Sequence, residues 1–332
     1  MRAQNRAGEE RYMKEKPHGI MFHYFHDDAA YKRGPGSLSA EDLERVIRYC
    51  QETYHLLSAD EWLYKEKRGA LDPRDVFLSF DDCIRSEYEI AYPVLQSYHL
   101  KALWFVYTSV FEGELEMLEV YRHFRWEMYG DMEAFYDDFF QTALCEQEAL
   151  HLDIRDVMDR FDPAEHFRER SFYTDRDRMF RYMRDEILTE GRYNWLMDQL
   201  IRKKGYDIGA NRRYLWITEQ ELKKIICTDG HIAGLHTHTH PTFTAGLSRE
   251  RQEWEYGKNR EVLERILGVS PACMAHPCNS YNADTLDILK GMGIETGFRA
   301  TMGDGYTSRL EYARKDSTDV LNEMRGQKDL CL

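Results

Sequence analysis

Apolar and polar positions along this chain follow two alternating rhythms. Gly19 to Phe25 is an apolar run of strand length, and Ser39 then caps a segment to Gln51 in which Leu43, Val46 and Ile47 recur at helical spacing. The unit repeats. Val76 to Phe80, directly after Asp72-Pro73, is a short apolar run ending in two aspartates, and a helical pattern follows from Ser86 to Tyr98. Ala102 to Tyr107, rich in β-branched and aromatic residues, is a third buried-strand candidate. Strands alternating with helices predict an α/β fold built on a parallel sheet or barrel.

From about Phe111 to Tyr214 the rhythm breaks into a stretch crowded with Glu, Asp, Arg, Tyr, Phe and Met, without strand-like alternation. It reads as a helical insertion: its aromatic content suits packing better than a linker, and its charge suits a cap with one wet face. The alternation resumes at the capping-box pattern Thr218-Glu219-Gln220-Glu221, followed by strand-like His231 to Leu235 and a long helix from Ser248 to Leu267. Ala272 to His276 reads as a strand, Asn282 caps a helix through Met292, and Glu295 to Arg299 and Tyr312 to Arg314 read as two more strands. No internal repeat is present.

Charge and cysteine usage narrow the classes. With 59 acidic against 45 basic residues the net charge is -14, which repels phosphate backbones and anionic headgroups, so nucleic acid is not expected as a partner. Met1 to Lys16 lacks the apolar stretch and small-residue cleavage site of a secretory signal, and no apolar run approaches the roughly 20 residues of a membrane span. The seven cysteines are odd in number, scattered and free of C-x-x-C pairs, so neither a zinc ribbon nor a disulfide framework is indicated. A reducing cytoplasm is the expected compartment.

Chemistry concentrates in two places. Four of the thirteen histidines fall between His231 and His240, in the string His236-Thr237-His238-Thr239-His240-Pro241. In a straight strand His236 and His240 would stand roughly 13 Å apart at about 3.3 Å per residue, too far to share an ion, so a turn must bring them together. Pro241 disfavours a helix through His240 and points to a turn after the strand. The second place is Ser79-Phe80-Asp81-Asp82-Cys83 at a strand end, where parallel-sheet proteins hold ligands. Adjacent strand residues face opposite ways, so both carboxylates enter one site only if the backbone turns there. One can then bind a cation while the other takes a proton. Taken alone, Asp81-Asp82 reads equally well as a helix N-cap beside a solvated acid, whereas a polar loop is the lesser alternative for the histidines.

Together the two strings resemble the polysaccharide deacetylase (NodB-homology, carbohydrate esterase family four) family, whose first motif is a T-F-D-D-G strand end and whose second is H-S/T-x-x-H. Ala102 to Val106 is similar to its A-T-F-F-V strand, Ala275 to Tyr281 to a variant of its third motif, and Ala313-Arg314-Lys315-Asp316 to its P-R-I-D segment. The resemblance implies a distorted, incomplete (β/α) barrel of about seven parallel strands, divided as residues 1–110 and 215–332 around an insertion at 111–214. It implies hydrolysis of an N-acetyl or similar acyl group from an amino sugar, nucleotide sugar or glycan. One divalent cation, Zn²⁺ first and Co²⁺, Mn²⁺ or Ni²⁺ as alternatives, would be held by Asp82, His236 and His240, with Asp81 as general base.

The chain departs from the family pattern at three points. Cys83 stands where glycine is common. Ala275 replaces an arginine, leaving Arg314 as the nearest group to orient Asp81. No histidine follows His276, so the late L-x-H acid has no counterpart and His276, His23 or another group is left to protonate the leaving amine. Two other classes compete: a noncatalytic glycan-binding relative on the same barrel, and an amidohydrolase or phosphoesterase using His236-x-His238 as its metal pair. The second would make His238 essential. Neither the particular sugar nor the oligomeric state is legible.

Overall fold

The central strands form around short, mostly apolar runs. β1 (His18–Phe22), β3 (Asp75–Asp81) and β4 (Leu103–Val106) are buried at every position, and β5 (Ile232–Leu235) at all but its first. Strands covered on both faces belong in a parallel sheet flanked by helices. With β2 (His55–Leu56), β6 (Cys273–Ala275), β7 (Thr296–Phe298) and β8 (Ala313–Asp316) they make one all-parallel sheet in the order β7-β6-β5-β4-β3-β1-β8, β2 pairing beside the start of β3. An isolated parallel bridge from Phe298 to Tyr312, one residue before β8, brings the two ends of the path together as a nearly closed barrel of seven strands. This computed structural model describes residues 16–166, 173–305 and 308–329. Most of the polar N-terminal segment read above, and Cys331, lie outside them.

Alternate residues of the strands fill the barrel. Phe77, Leu103, Phe105, Cys273, Ala275 and Phe298 form one fully buried cluster with Ala59 and Trp62 from the helix Ala59–Lys67. The Trp62 ring lies 4.7 Å from Phe77, 5.4 Å from Phe298 and 5.1 Å from Tyr312, so the barrel is plugged below its C-terminal mouth. By the two-residue period of β3, Asp81 shares the inward face of Phe77 and Ser79 and stands at the mouth.

The elements depart from the sequence reading mainly at their edges. β1 stops at Phe22, and Phe25 contributes only an isolated bridge to Leu38. The helix expected from Ser86 opens with a wide turn, Glu87–Ala91, before regular helix at Tyr92–Ser97, where Pro93 has no N–H to donate. β8 begins at Ala313, one residue later than expected, and runs to Asp316. Three elements were not read from the sequence: β2, the helix Ala59–Lys67, and the helix Ser317–Asp329. Among the described residues no helix is long and apolar enough to cross a membrane, and the six described cysteines are free.

The chain divides into two units, residues 1–116 with 213–332, and Met117–Arg212. The second is helical with no strand among its described residues, its longest helices being Met117–Met128, Met132–Cys145 and Glu190–Lys204. An aromatic core holds it: Phe180 packs 4.9 Å from Phe139 and 5.2 Å from Phe135, and the Arg125 guanidinium lies over both the Phe135 and Phe180 rings.

Closure of the barrel leaves no room at Gly297. Its N–H donates to Arg309 O, its carbonyl accepts from Tyr312 N, and a Cβ there would sit 2.5 Å from the Leu310 carbonyl oxygen, which is backbone and cannot swing away. Gly297→Ala is therefore expected to lower stability by about 1–3 kcal/mol. A urea midpoint equal to wild type would show that the seam between β7 and β8 is looser than drawn here.

Candidate metal centre

Both strand ends that carry the chemistry break into left-handed backbone. β3 ends at Asp81, and the next two residues, Asp82 (φ 76°) and Cys83 (φ 50°), turn the chain so that both carboxylates point into the barrel mouth. The Asp82 N–H donates to Phe105 O at 3.0 Å, fixing that turn to β4. Cys83 thus occupies a conformation that glycine adopts without steric cost. After β5, Thr237 (φ 63°) and His240 (φ 57°) are also left-handed. For a β-branched residue such as Thr237 this is strained, and strain of this kind gathers where a site imposes geometry.

The result is a convergence. His236 Nε2 and His240 Nε2 lie 3.3 and 3.2 Å from the same oxygen, Asp82 Oδ1, and all three ligand atoms are within 4.8 Å of one another. Asp82 Oδ1 is buried with no hydrogen-bond partner. His236 Nδ1 sits 2.9 Å from Ala275 O, which can only accept, so Nδ1 carries a proton and the neutral ring turns the Nε2 lone pair inward. Lone pairs of a carboxylate and a neutral imidazole repel unless a proton or a metal cation lies between them. Two imidazole nitrogens and one carboxylate oxygen therefore fit a divalent ion of the Zn²⁺, Co²⁺, Ni²⁺ or Mn²⁺ type.

Asp81 stands beside this cluster with a different partner. Arg314, fully buried on β8, grips it with two parallel bonds, Nη1 to Oδ1 at 2.6 Å and Nη2 to Oδ2 at 2.8 Å. Arg314 also donates through Nε to Arg299 O and through Nη1 to Ser79 Oγ, and packs 5.0 Å over the Phe105 ring. Asp81 Oδ2 is 4.0 Å from His236 Nε2 and 3.9 Å from His23 Nε2.

These neighbours set the ionisation. Burial alone would raise Asp81, but Arg314 and then His236 draw it below the usual carboxylate range. Burial likewise opposes the charge on Asp82, and the imidazoles of His240, His236 and His23 pull its carboxyl far below the ordinary value. Burial pushes His240 down to about 4. His236 feels the same burial but faces both Asp82 and Asp81, which together raise it.

Of the histidines named from the sequence, His236 and His240 meet and His238 turns away. Its Nδ1 pairs with Thr108 Oγ1 at 2.9 Å and its Nε2 lies 3.6 Å from Glu112, so His236-x-His238 is not a metal pair here. His276 needs correction as an acid candidate. Its Nε2–H donates to Leu310 O at 2.9 Å, its ring stacks on Tyr281, and burial lowers it to about 4. It thus presents no free N–H to the mouth. The Glu255 and Asn259 side chains, which hold the histidine turn, were missed. The signal was available: the buried period of Val262, Leu263, Ile266 and Leu267 runs back through both.

A polysaccharide deacetylase family model matches residues 192–297, which include the histidine turn but not Asp81-Asp82. A poly-beta-1,6-N-acetyl-D-glucosamine N-deacetylase of Staphylococcus aureus (strain MSSA476) is 34% identical over 74 residues, which are 22% of this chain and 26% of that protein. The aligned stretch thus spans about a quarter of the length of such relatives. Among solved structures, the Streptococcus pyogenes deacetylase PplD in complex with acetate superposes with TM-score 0.52 at 16% identity, covering 93% of this chain and 98% of the other. A de-N-acetylase from Aggregatibacter actinomycetemcomitans superposes with TM-score 0.53 at 15% identity, covering 92% and 98%. At such identities the structures speak for the fold.

The grip of Arg314 on Asp81 has a measurable consequence. Arg314→Met keeps an apolar stem over Phe105 but leaves a buried carboxylate unpaired, and is expected to cost about 3–5 kcal/mol of stability. Asp81→Asn/Arg314→Met should lose less than the two single changes added together. Strict additivity in chemical denaturation would mean that the two groups are not coupled.

Proposed function

We propose that this chain, which belongs to the polysaccharide deacetylase family, is a metal-dependent hydrolase that removes an N-acetyl or similar acyl group from an amino sugar, nucleotide sugar or glycan. The observation that carries the reading is the convergence of Asp82 Oδ1, His236 Nε2 and His240 Nε2 on one point, beside a carboxylate locked by Arg314. When bound there, a divalent cation, Zn²⁺ first among the candidates, supplies Lewis acidity that acidifies water and polarises an acyl carbonyl.

The remaining work falls to the side chains. Asp81 is held ionised by Arg314 yet keeps a free lone pair on Oδ2, since a carboxylate offers about four acceptor sites. It is the general base that takes the proton of the attacking water. Arg314 positions that base and prevents it from turning towards the cation. His23, partly exposed and 3.9 Å from Asp81 Oδ2, is the group suited to return a proton to the leaving amine. Tyr107, whose ring lies 5.1 Å from that of His240, walls the same side of the mouth. The name of the staphylococcal relative makes β-1,6-linked N-acetylglucosamine oligomers the first substrate to try.

Acyl release is best measured on those oligomers and on a panel of N-acetylated sugars and nucleotide sugars, with and without added Zn²⁺ or Co²⁺. Asp81→Asn is expected to retain the metal while losing about 10² to 10⁴-fold in rate. Asp82→Asn and His240→Ala should lose both. Circular dichroism checks that each remains folded, because Asp81→Asn also removes half of the Arg314 grip. An Asp81→Asn protein with full activity would sink the assignment. A metal-loaded wild type inert on the whole panel would favour the glycan-binding alternative.

A further inference from the structure

The helix Arg249–Leu267 buries one continuous face, and that face changes character along its length. Its C-terminal half is apolar, with Val262, Leu263, Ile266 and Leu267, whereas its N-terminal half presents Gln252, Glu255 and Asn259, each fully buried. A carboxylate withdrawn from water is costly unless donors replace the water. Glu255 has four. Its Oε2 accepts the backbone N–H of His238 at 3.0 Å and of Thr239 at 2.8 Å, and its Oε1 accepts Thr239 Oγ1 at 2.6 Å and Arg251 at 2.7 Å.

Asn259 follows four residues later, on the same side of the helix. Its Oδ1 accepts the His236 N–H at 3.0 Å, and its Nδ2 donates to Val106 O at 2.9 Å and Thr108 Oγ1 at 3.1 Å. Val106 ends β4 directly opposite Leu235 of β5, so this side chain ties the start of the histidine turn to the neighbouring strand end. The amides of His236, His238 and Thr239 are thus all held by two side chains of one helix. Thr237, enclosed by them, and His240, just beyond, are left-handed. Such conformations are strained and persist only where the surroundings enforce them.

We infer that Glu255 and Asn259 are positioning residues that set the metal affinity of the centre by holding the turn between its two imidazoles. They touch backbone groups, the Thr108 and Thr239 hydroxyls and the Arg251 guanidinium, not the ligand nitrogens. The inference rests on the reading of Asp82, His236 and His240 as metal ligands, and it locates part of the affinity on a helix that contributes no ligand.

The test uses the full chain, stripped of metal and titrated with Zn²⁺ against a chromophoric chelator, with thermal melting of each metal-free protein in parallel. Glu255→Ala and Asn259→Leu are expected to bind Zn²⁺ about 10- to 100-fold more weakly while folded at the assay temperature. Glu255→Gln keeps one oxygen for the two amides and should lose less. Glu253→Ala, on the exposed side of the same helix, should match wild type. If Glu255→Ala does not fold, Glu255→Gln and Asn259→Leu carry the comparison. Wild-type affinity in those variants overturns the inference, as does an equal loss in Glu253→Ala. A wild type that takes up no Zn²⁺ is a separate result: it removes the ligand assignment itself, and the positioning role with it.

Discussion

Asp81 and Arg314 meet head to head inside the barrel, 233 residues apart in sequence, and the rest of the site is arranged around that pair. A guanidinium and a carboxylate buried together are tolerable only when both forks are satisfied. Arg314 meets the condition by spanning the barrel interior from β8, drawing on Arg299 O and Ser79 Oγ with its remaining donors. Its position needs β8 to lie beside β1 and β1 beside β3, which is the observed strand order. The pair also separates the roles of two adjacent aspartates. Asp81 is bound by a fixed cation from the protein, and Asp82, turned away by its left-handed backbone, is left with an oxygen that no protein donor satisfies.

That separation shows how far the sequence could be read. The alternation of apolar runs and helical periods was enough for a parallel sheet, because β1, β3 and β4 are buried on both faces and each centres on an apolar run. Asp81, Asp82, His236 and His240 were legible because their side-chain types are rare in combination and fall at strand ends. The need for a turn at each strand end could be argued from ligand spacing. The φ values that make those turns were beyond reach, since Cys83 and Thr237 are not residues that ordinarily mark left-handed backbone.

The parts that stayed illegible are those created by tertiary approach. Nothing local distinguishes Glu255 from the other acids of its helix, because the donors that make it significant come from His238 and Thr239, 17 and 16 residues away. His276 shows the opposite case. Its type and place in the third-motif string suggested chemistry, yet its N–H is spent on the Leu310 carbonyl. The helix Ala59–Lys67 was passed over because its buried positions, Ala59, Trp62 and Glu66, include only one large apolar residue. That residue plugs the barrel.

The plug has a consequence for traffic. With Trp62, Phe77, Phe298 and Phe105 filling the interior below Asp81, the barrel has one open end and no drain. Whatever reaches Asp81 must enter and leave by the same doorway. A long polymer cannot thread through such a dead end. A ligand longer than the mouth is wide can present only one side group to Asp81, with its neighbouring units left outside the barrel wall.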